Sequence, residues 1–129
     1  MKLIKLCLMT LSFGLLANAD EPAEPEVEAK KFRHVVLFKF KDEVTKDQVT
    51  MIEKAFAELP NKIKTIIDFE WGTDVSQEGL SQDFTHCFVV TFKDQAGLDV
   101  YLPHEDHQAF VAMLKPSLDK VLVVDYVTR

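Results

Sequence analysis

Tyr101, His104 and His107 stand three residues apart in a Tyr-x-x-His-x-x-His run. The run gathers one of the chain's two tyrosines and two of its four histidines. A third histidine, His34, opens an apolar segment far upstream. A neutral imidazole can take a proton near pH 7, because its unperturbed pKa is about 6.5. A phenol can donate a hydrogen bond to an oxyanion as it develops. His34, Tyr101 and His107 are therefore the candidate catalytic groups. His104, Trp71 and Phe38 are candidate ligand contacts around them. The same histidines could instead ring an open zinc site. Against this, the run lacks His-Glu-x-x-His spacing and no carboxylate is in phase with it, so neither a metal nor a cofactor is expected. Any one histidine on an apolar face is more often a satisfied core residue than a catalyst. His86 at a strand end and the lone thiol of Cys87, packed as a small apolar side chain, are read in that way.

The elements that must position these groups follow from periodicity. His34, Val36, Phe38 and Phe40 alternate with Val35, Leu37 and Lys39, the pattern of a strand. Thr45-Lys46-Asp47-Gln48 forms a capping box, in which hydroxyl and amide side chains each satisfy a free backbone group. Val49, Ile52, Phe56 and Leu59 then recur at helical spacing, and Pro60-Asn61 is expected to end that helix. Ile66 to Val75 is strand-like, with Ile67, Phe69 and Trp71 in one phase and Gly72 marking a bulge or bend. Thr85 to Phe92 is a further strand. Asp94 caps a short helix, weakened by Gly97, that ends near Pro103. A longer helix runs from about His104 to Leu114, and Pro116 stops it. On it His107, Phe110, Val111 and Leu114 share the i, i+3, i+4, i+7 stripe. Val121 to Val127 closes the series. The order β-α-β-β-α-β predicts an α+β, ferredoxin-like fold: an antiparallel sheet with helices on one face. His34 and His107 then both border the space between sheet and helices.

The strands are apolar on both faces. Val35 and Leu37 oppose Val36 and Phe38, Cys87 and Val89 oppose Phe88 and Val90, and Leu122 and Val124 oppose Val121 and Val123. Helices cover one face only. A second copy of the sheet is the simplest cover for the other, which predicts a homodimer with its sheets face to face. A monomer would expose an apolar face large enough to be an aggregation liability.

Composition bounds the rest. One domain is expected in 129 residues. Residues 1–19 read as a signal peptide: Lys2 and Lys5, an apolar run from Leu6 to Leu16, then Ala17-Asn18-Ala19 as a small-x-small cleavage site. The run is short for a bilayer span, so export without stable membrane insertion is expected, to the periplasm or outside. Residues 20–30 are acidic, contain Pro22 and Pro25, and read as a solvated spacer. Residues 31–129 are the domain. Without the leader's two lysines the chain carries 13 bases against 21 acids, a net charge of −8. There is no basic patch for nucleic acid. Only Cys87 remains outside the leader, so no internal disulfide is expected and packing must supply the stability.

Phe32 to Val127 resembles the stress-responsive dimeric α/β-barrel (Dabb) family. The resemblance is carried by Arg33 to Lys41, Trp71-Gly72-Thr73-Asp74-Val75, Thr85 to Phe92, Tyr101 to His107 and Asp125-Tyr126. It implies ferredoxin-like subunits whose two sheets form a barrel. It also implies an active-site pattern, since the family includes a plant polyketide cyclase that closes a linear chain by aldol condensation. By that resemblance His107 would be the general base, with Tyr101 and His34 as orienting and oxyanion-stabilising groups and His104 matching an intermediate histidine. Three readings result. One is an exported dimer with a pocket for a small carbonyl-containing or aromatic ligand. The second is a cofactor-independent cyclase or lyase. The third is a structural stress protein without a ligand.

Overall fold

The computed structural model describes residues 22–129 together with Gly14. The expected signal peptide, Gly14 apart, and the first two residues of the spacer lie outside the described residues. Residues 22–30 form exposed, irregular chain. The domain follows in the order β1 (Phe32–Phe40), α1 (Lys46–Lys62), β2 (Ile66–Thr73), β3 (His86–Phe92), α2 (Gln95–Tyr101), α3 (Glu105–Leu114), a 3-10 turn (Lys115–Ser117) and β4 (Leu118–Val127). The four strands form one antiparallel sheet in the order β2-β3-β1-β4. This is the ferredoxin-like fold that the alternation predicts. No helix among the described residues is long and apolar enough to cross a membrane.

Local chemistry accounts for most boundaries. The Thr45 hydroxyl accepts from Gln48 N at 3.2 Å, and Thr45 N donates to Gln48 Oε1 at 2.9 Å, so the capping box starts α1 as expected. The expected stop at Pro60-Asn61 is not where α1 ends. The helix runs on to Lys62, and Ile63 N still donates to Leu59 O at 2.8 Å. Proline withholds one N–H, and in the last turn that is the only bond lost. Leu59 and Ile63 are both buried, and their packing holds the turn. β2 also departs from its expected phase. The pairing with β3 slips between Ile66 and Asp68, so a bulge at Ile67 turns that side chain to solvent while Phe69 and Trp71 stay on the helix side. Gly72, expected at a bulge, pairs regularly with Cys87. Gly97 has a positive reason to be in α2: a Cβ there would lie 3.0 Å from Phe92 Cβ, so α2 approaches β3 this closely only with glycine.

The core lies between the sheet and α1, α2 and α3. Phe56 of α1 stands at its centre, with ring centroids 4.4 Å from Phe88, 4.6 Å from Phe110 and 6.0 Å from Phe38. β4, at the sheet edge, begins three residues earlier than expected, because Leu118 already pairs with Phe40 across a bulge at Asp119 of β4. The helices leave its inward side open, and Val121 and Val123 remain 53% and 48% exposed. On the sheet's outer face the register sets Val35 beside Val89 and Val124, and Leu37 beside Cys87 and Leu122. The apolar residues of the three strands thus form one continuous patch.

Candidate functional site

Strand alternation points His34 toward the helices with Val36 and Phe38, and it is 6% exposed. The antiparallel register sets it across from Asp125 of β4. Asp125 Oδ1 accepts from His34 Nδ1 at 2.6 Å. A carboxylate cannot donate, so Nδ1 carries the proton, and in the neutral ring Nε2 keeps its lone pair. Asp125 is thus a positioning residue that the sequence reading missed. A signal for it was present: it is the one acid on the inward phase of a valine-rich strand, after Val121 and Val123.

Tyr101 is the last residue of α2 and is 1% exposed. Its ring centroid lies 5.8 Å from that of His34, edge-on, and 4.2 Å from that of His107. The phenol therefore stands between the two imidazoles. Burial raises its pKa far above the ordinary value, so it is a neutral O–H donor. No hydrogen bond to a described residue engages that hydroxyl, and it is not sealed away from space.

His107 reaches the site through the turn Leu102-Pro103-His104, which separates α2 from α3. At the end of α2 the Leu102 carbonyl needs a partner. His107 Nδ1 donates to it at 2.9 Å, and Gln108 Nε2 donates to the same oxygen at 2.6 Å. The backbone bond fixes the tautomer with the proton on Nδ1 and a lone pair on Nε2. Burial lowers the His107 pKa. The Leu102 bond opposes this, and the nearby His34 and His104 reinforce it. His107 is thus an uncharged base at neutral pH.

These three side chains line a cavity of about 260 Å³ between α3 and the β1–β4 half of the sheet. Phe38, Phe56, Phe110, Val111, Val121 and Val123 supply its apolar wall, and Lys115, just past the end of α3, also borders it. Of the expected ligand contacts, Phe38 lines the cavity and His104 and Trp71 do not. His104 is the N-cap of α3, where its Nδ1 accepts from Asp106 N at 3.1 Å. Trp71 sits on β2, at the far edge of the sheet from β4. It stacks on Phe88 at 5.4 Å and on His86 at 6.1 Å. His86 has both ring nitrogens engaged, Nε2 with Glu53 at 2.9 Å and Nδ1 with Thr85 at 2.8 Å. Among the described residues no group of three or more His, Cys, Asp or Glu is placed to hold a metal ion.

A hydrogen-bond donor and a neutral base face one small apolar space. That arrangement can hold a carbonyl oxygen on Tyr101 and accept a proton from the adjacent carbon at His107 Nε2.

Comparison with known proteins gives the same picture of the chain. The family model described as the stress-responsive A/B barrel domain matches residues 32–128. The stress-response A/B barrel domain-containing protein HS1 of Arabidopsis thaliana is 42% identical over 94 residues, which are 73% of this chain and 86% of that protein. Olivetolic acid cyclase of Cannabis sativa is 33% identical over 97 residues, 75% of this chain and 96% of that enzyme. Among solved structures, a dimeric ferredoxin-like protein of unknown function from Thermobifida fusca superposes with a TM-score of 0.66 at 27% identity. That match covers 78% of this chain and 93% of the other.

Proposed function

The chain belongs to the stress-responsive A/B barrel domain family, and from that premise we propose that it is an exported homodimer whose cavity binds a small carbonyl-containing or aromatic molecule. One observation carries the ligand reading. The Tyr101 hydroxyl and the His107 Nε2 border a largely apolar cavity, and no hydrogen bond among the described residues engages either of them. A cavity with an apolar wall and a few converging polar groups is the usual form of a small-molecule site, so an open donor beside an open acceptor supports a ligand there. The test is a thermal-shift screen against small phenols and β-dicarbonyls. A ligand at a hundred times its Kd stabilises by about 2.7 kcal/mol, which raises Tm by several degrees or more. If no compound moves Tm, the structural reading without a ligand replaces this one.

The dimer rests on the outer sheet face, whose apolar patch crosses β3, β1 and β4, and on solved relatives described as dimeric. Export rests on the leader pattern of residues 1–19. Expressed with that leader, the exported chain is expected to begin at Asp20 and to sediment as a dimer at micromolar concentration. Val124→Glu, which would bury an unpaired carboxylate between the sheets, is expected to give monomers. A wild-type chain that sediments as a monomer, or one recovered with residues 1–19 attached, overturns the corresponding half of this proposal.

A second reading, a cyclase or lyase, is favoured by the uncharged state of His107 beside a protonated phenol. In that reading His107 Nε2 takes a proton from a carbon flanked by carbonyls. The electron pair of the broken C–H bond passes into an enolate, and the enolate oxygen accepts from the Tyr101 O–H. The carbon nucleophile then attacks a second carbonyl of the same molecule; the π pair of that C=O moves onto its oxygen, which takes back the proton held on His107 Nε2 and leaves the base neutral. Olivetolic acid cyclase, by its name, closes a ring, and its similarity supports this reading.

A further inference from the structure

We propose that Lys115 selects an anionic ligand: the cavity takes an amphipathic carboxylate, with its hydrogen-bonding end at Tyr101 and His107 and its carboxylate at the Lys115 ammonium. This rests on the cavity being a ligand site and names the class of ligand. Among the described residues that line the cavity, Lys115 alone carries a permanent charge. It directly follows α3, whose first turn carries His107. Eight residues at about 1.5 Å each separate the two along the helix axis by about 12 Å. Between them Phe110, Val111 and Leu114 present only hydrocarbon, and Val121 and Val123 face them from β4. The lining therefore passes from polar side chains near the start of α3, through hydrocarbon, to a lysine just past its end. Lys31 and Lys39 each have an acid partner, Glu28 and Asp119. Among the described residues no acid pairs with Lys115, so its ammonium is free to meet a charge on the ligand.

A lysine at a helix C-terminus also complements the helix dipole. That role is indifferent to what occupies the cavity, and ligand charge separates the two. The experiment is calorimetric titration of the full chain, at low ionic strength, with para-hydroxyphenylpropanoate, its amide and the neutral para-propylphenol. An exposed ion pair is worth up to about 1 kcal/mol, so the acid is expected to bind about five-fold more tightly than the amide. Lys115→Ala should bring acid and amide to parity, and Lys115→Glu should reverse their order. Raising the salt to molar concentration should remove the preference in the unmodified chain. Equal binding of acid and amide to the unmodified chain, or a preference that survives Lys115→Ala, overturns the inference. If para-propylphenol binds and the acid gains nothing, the cavity remains a ligand site and only its anion selectivity falls. If none of the three binds, both fall.

Discussion

Phe88→Ala is expected to cost about 3–5 kcal/mol and to leave the domain near the limit of folding. Phe88 is 0% exposed and belongs to the inward side of β3. Its ring lies 4.4 Å from Phe56, 5.2 Å from Phe38 and 5.4 Å from Trp71. These neighbours come from α1, β1 and β2, so a cavity at Phe88 loosens three elements at once. None can move in alone, because Phe56 also packs on Phe110 of α3 and Trp71 also stacks on His86. Partial collapse is therefore blocked, and the cost should fall in the upper part of the range for aromatic truncations. Trp71 is the chain's single tryptophan and reports the loss directly. In urea, its fluorescence transition should move to a much lower midpoint with an unchanged slope. A loss below about 1.5 kcal/mol would mean that this cluster does not hold the sheet to the helices as described. The same substitution bears on the site, since Phe38 and Phe56 are both wall of the cavity and neighbours of Phe88.

Much of this arrangement is legible in the sequence, and the limits have physical reasons. Alternation in β1 is read correctly because no bulge interrupts its pairing with β3. The stripe His107, Phe110, Val111, Leu114 is read correctly because one uninterrupted helix carries it. β2 is read less well: its pairing slips at Ile67, and a slip of one residue reverses which side chains face inward. Pro60 misleads because a proline's cost depends on how many residues of the helix follow it. Asp125 and Lys115 show a different limit. Each acquires meaning only from a partner across the fold: a histidine 91 positions away in the one case and the lining of a cavity in the other. Trp71 and His104 fail to line the cavity for a related reason. Trp71 shares a sheet face with His34 but lies on the opposite edge strand. His104 shares a turn with His107, and its Nδ1 is taken up by the helix N-terminus. Residue type and spacing identify what could react, while strand order and capping decide which of those groups meet.

His107→Ala gives the sharpest separation between an enzyme and a binder. If the cyclase reading is right, the unmodified chain accelerates exchange of the proton between the carbonyls of a β-diketone, the step that needs only a base and an oxyanion donor. Removing the base should slow that exchange by about 10²–10⁴-fold. Tyr101→Phe keeps the ring that packs between His34 and His107 and removes only the donor, so it should cost about 10²–10³-fold in rate, and ligand affinity should fall by only the one lost hydrogen bond, about 0.5–1.5 kcal/mol. The pH profile carries a further check. Burial lowers the His107 pKa below its ordinary value of about 6.5. The neutral base therefore persists into mild acid, and the acid limb of the exchange rate should have its midpoint below that value. The sign for stability is the same. As pH falls through about 6.5 the unfolded chain takes up a proton before native His107 does, so this residue's contribution is complete above that pH and is lost on acidification. In a binder, the chain leaves diketone exchange at the solvent rate, and His107→Ala changes ligand affinity alone. An exchange rate that is catalysed yet indifferent to His107, or an acid limb centred above 6.5, would remove His107 as the base. The Leu102 carbonyl explains why the discrimination is sharp: by holding the proton on Nδ1 it leaves Nε2 with one role, to accept.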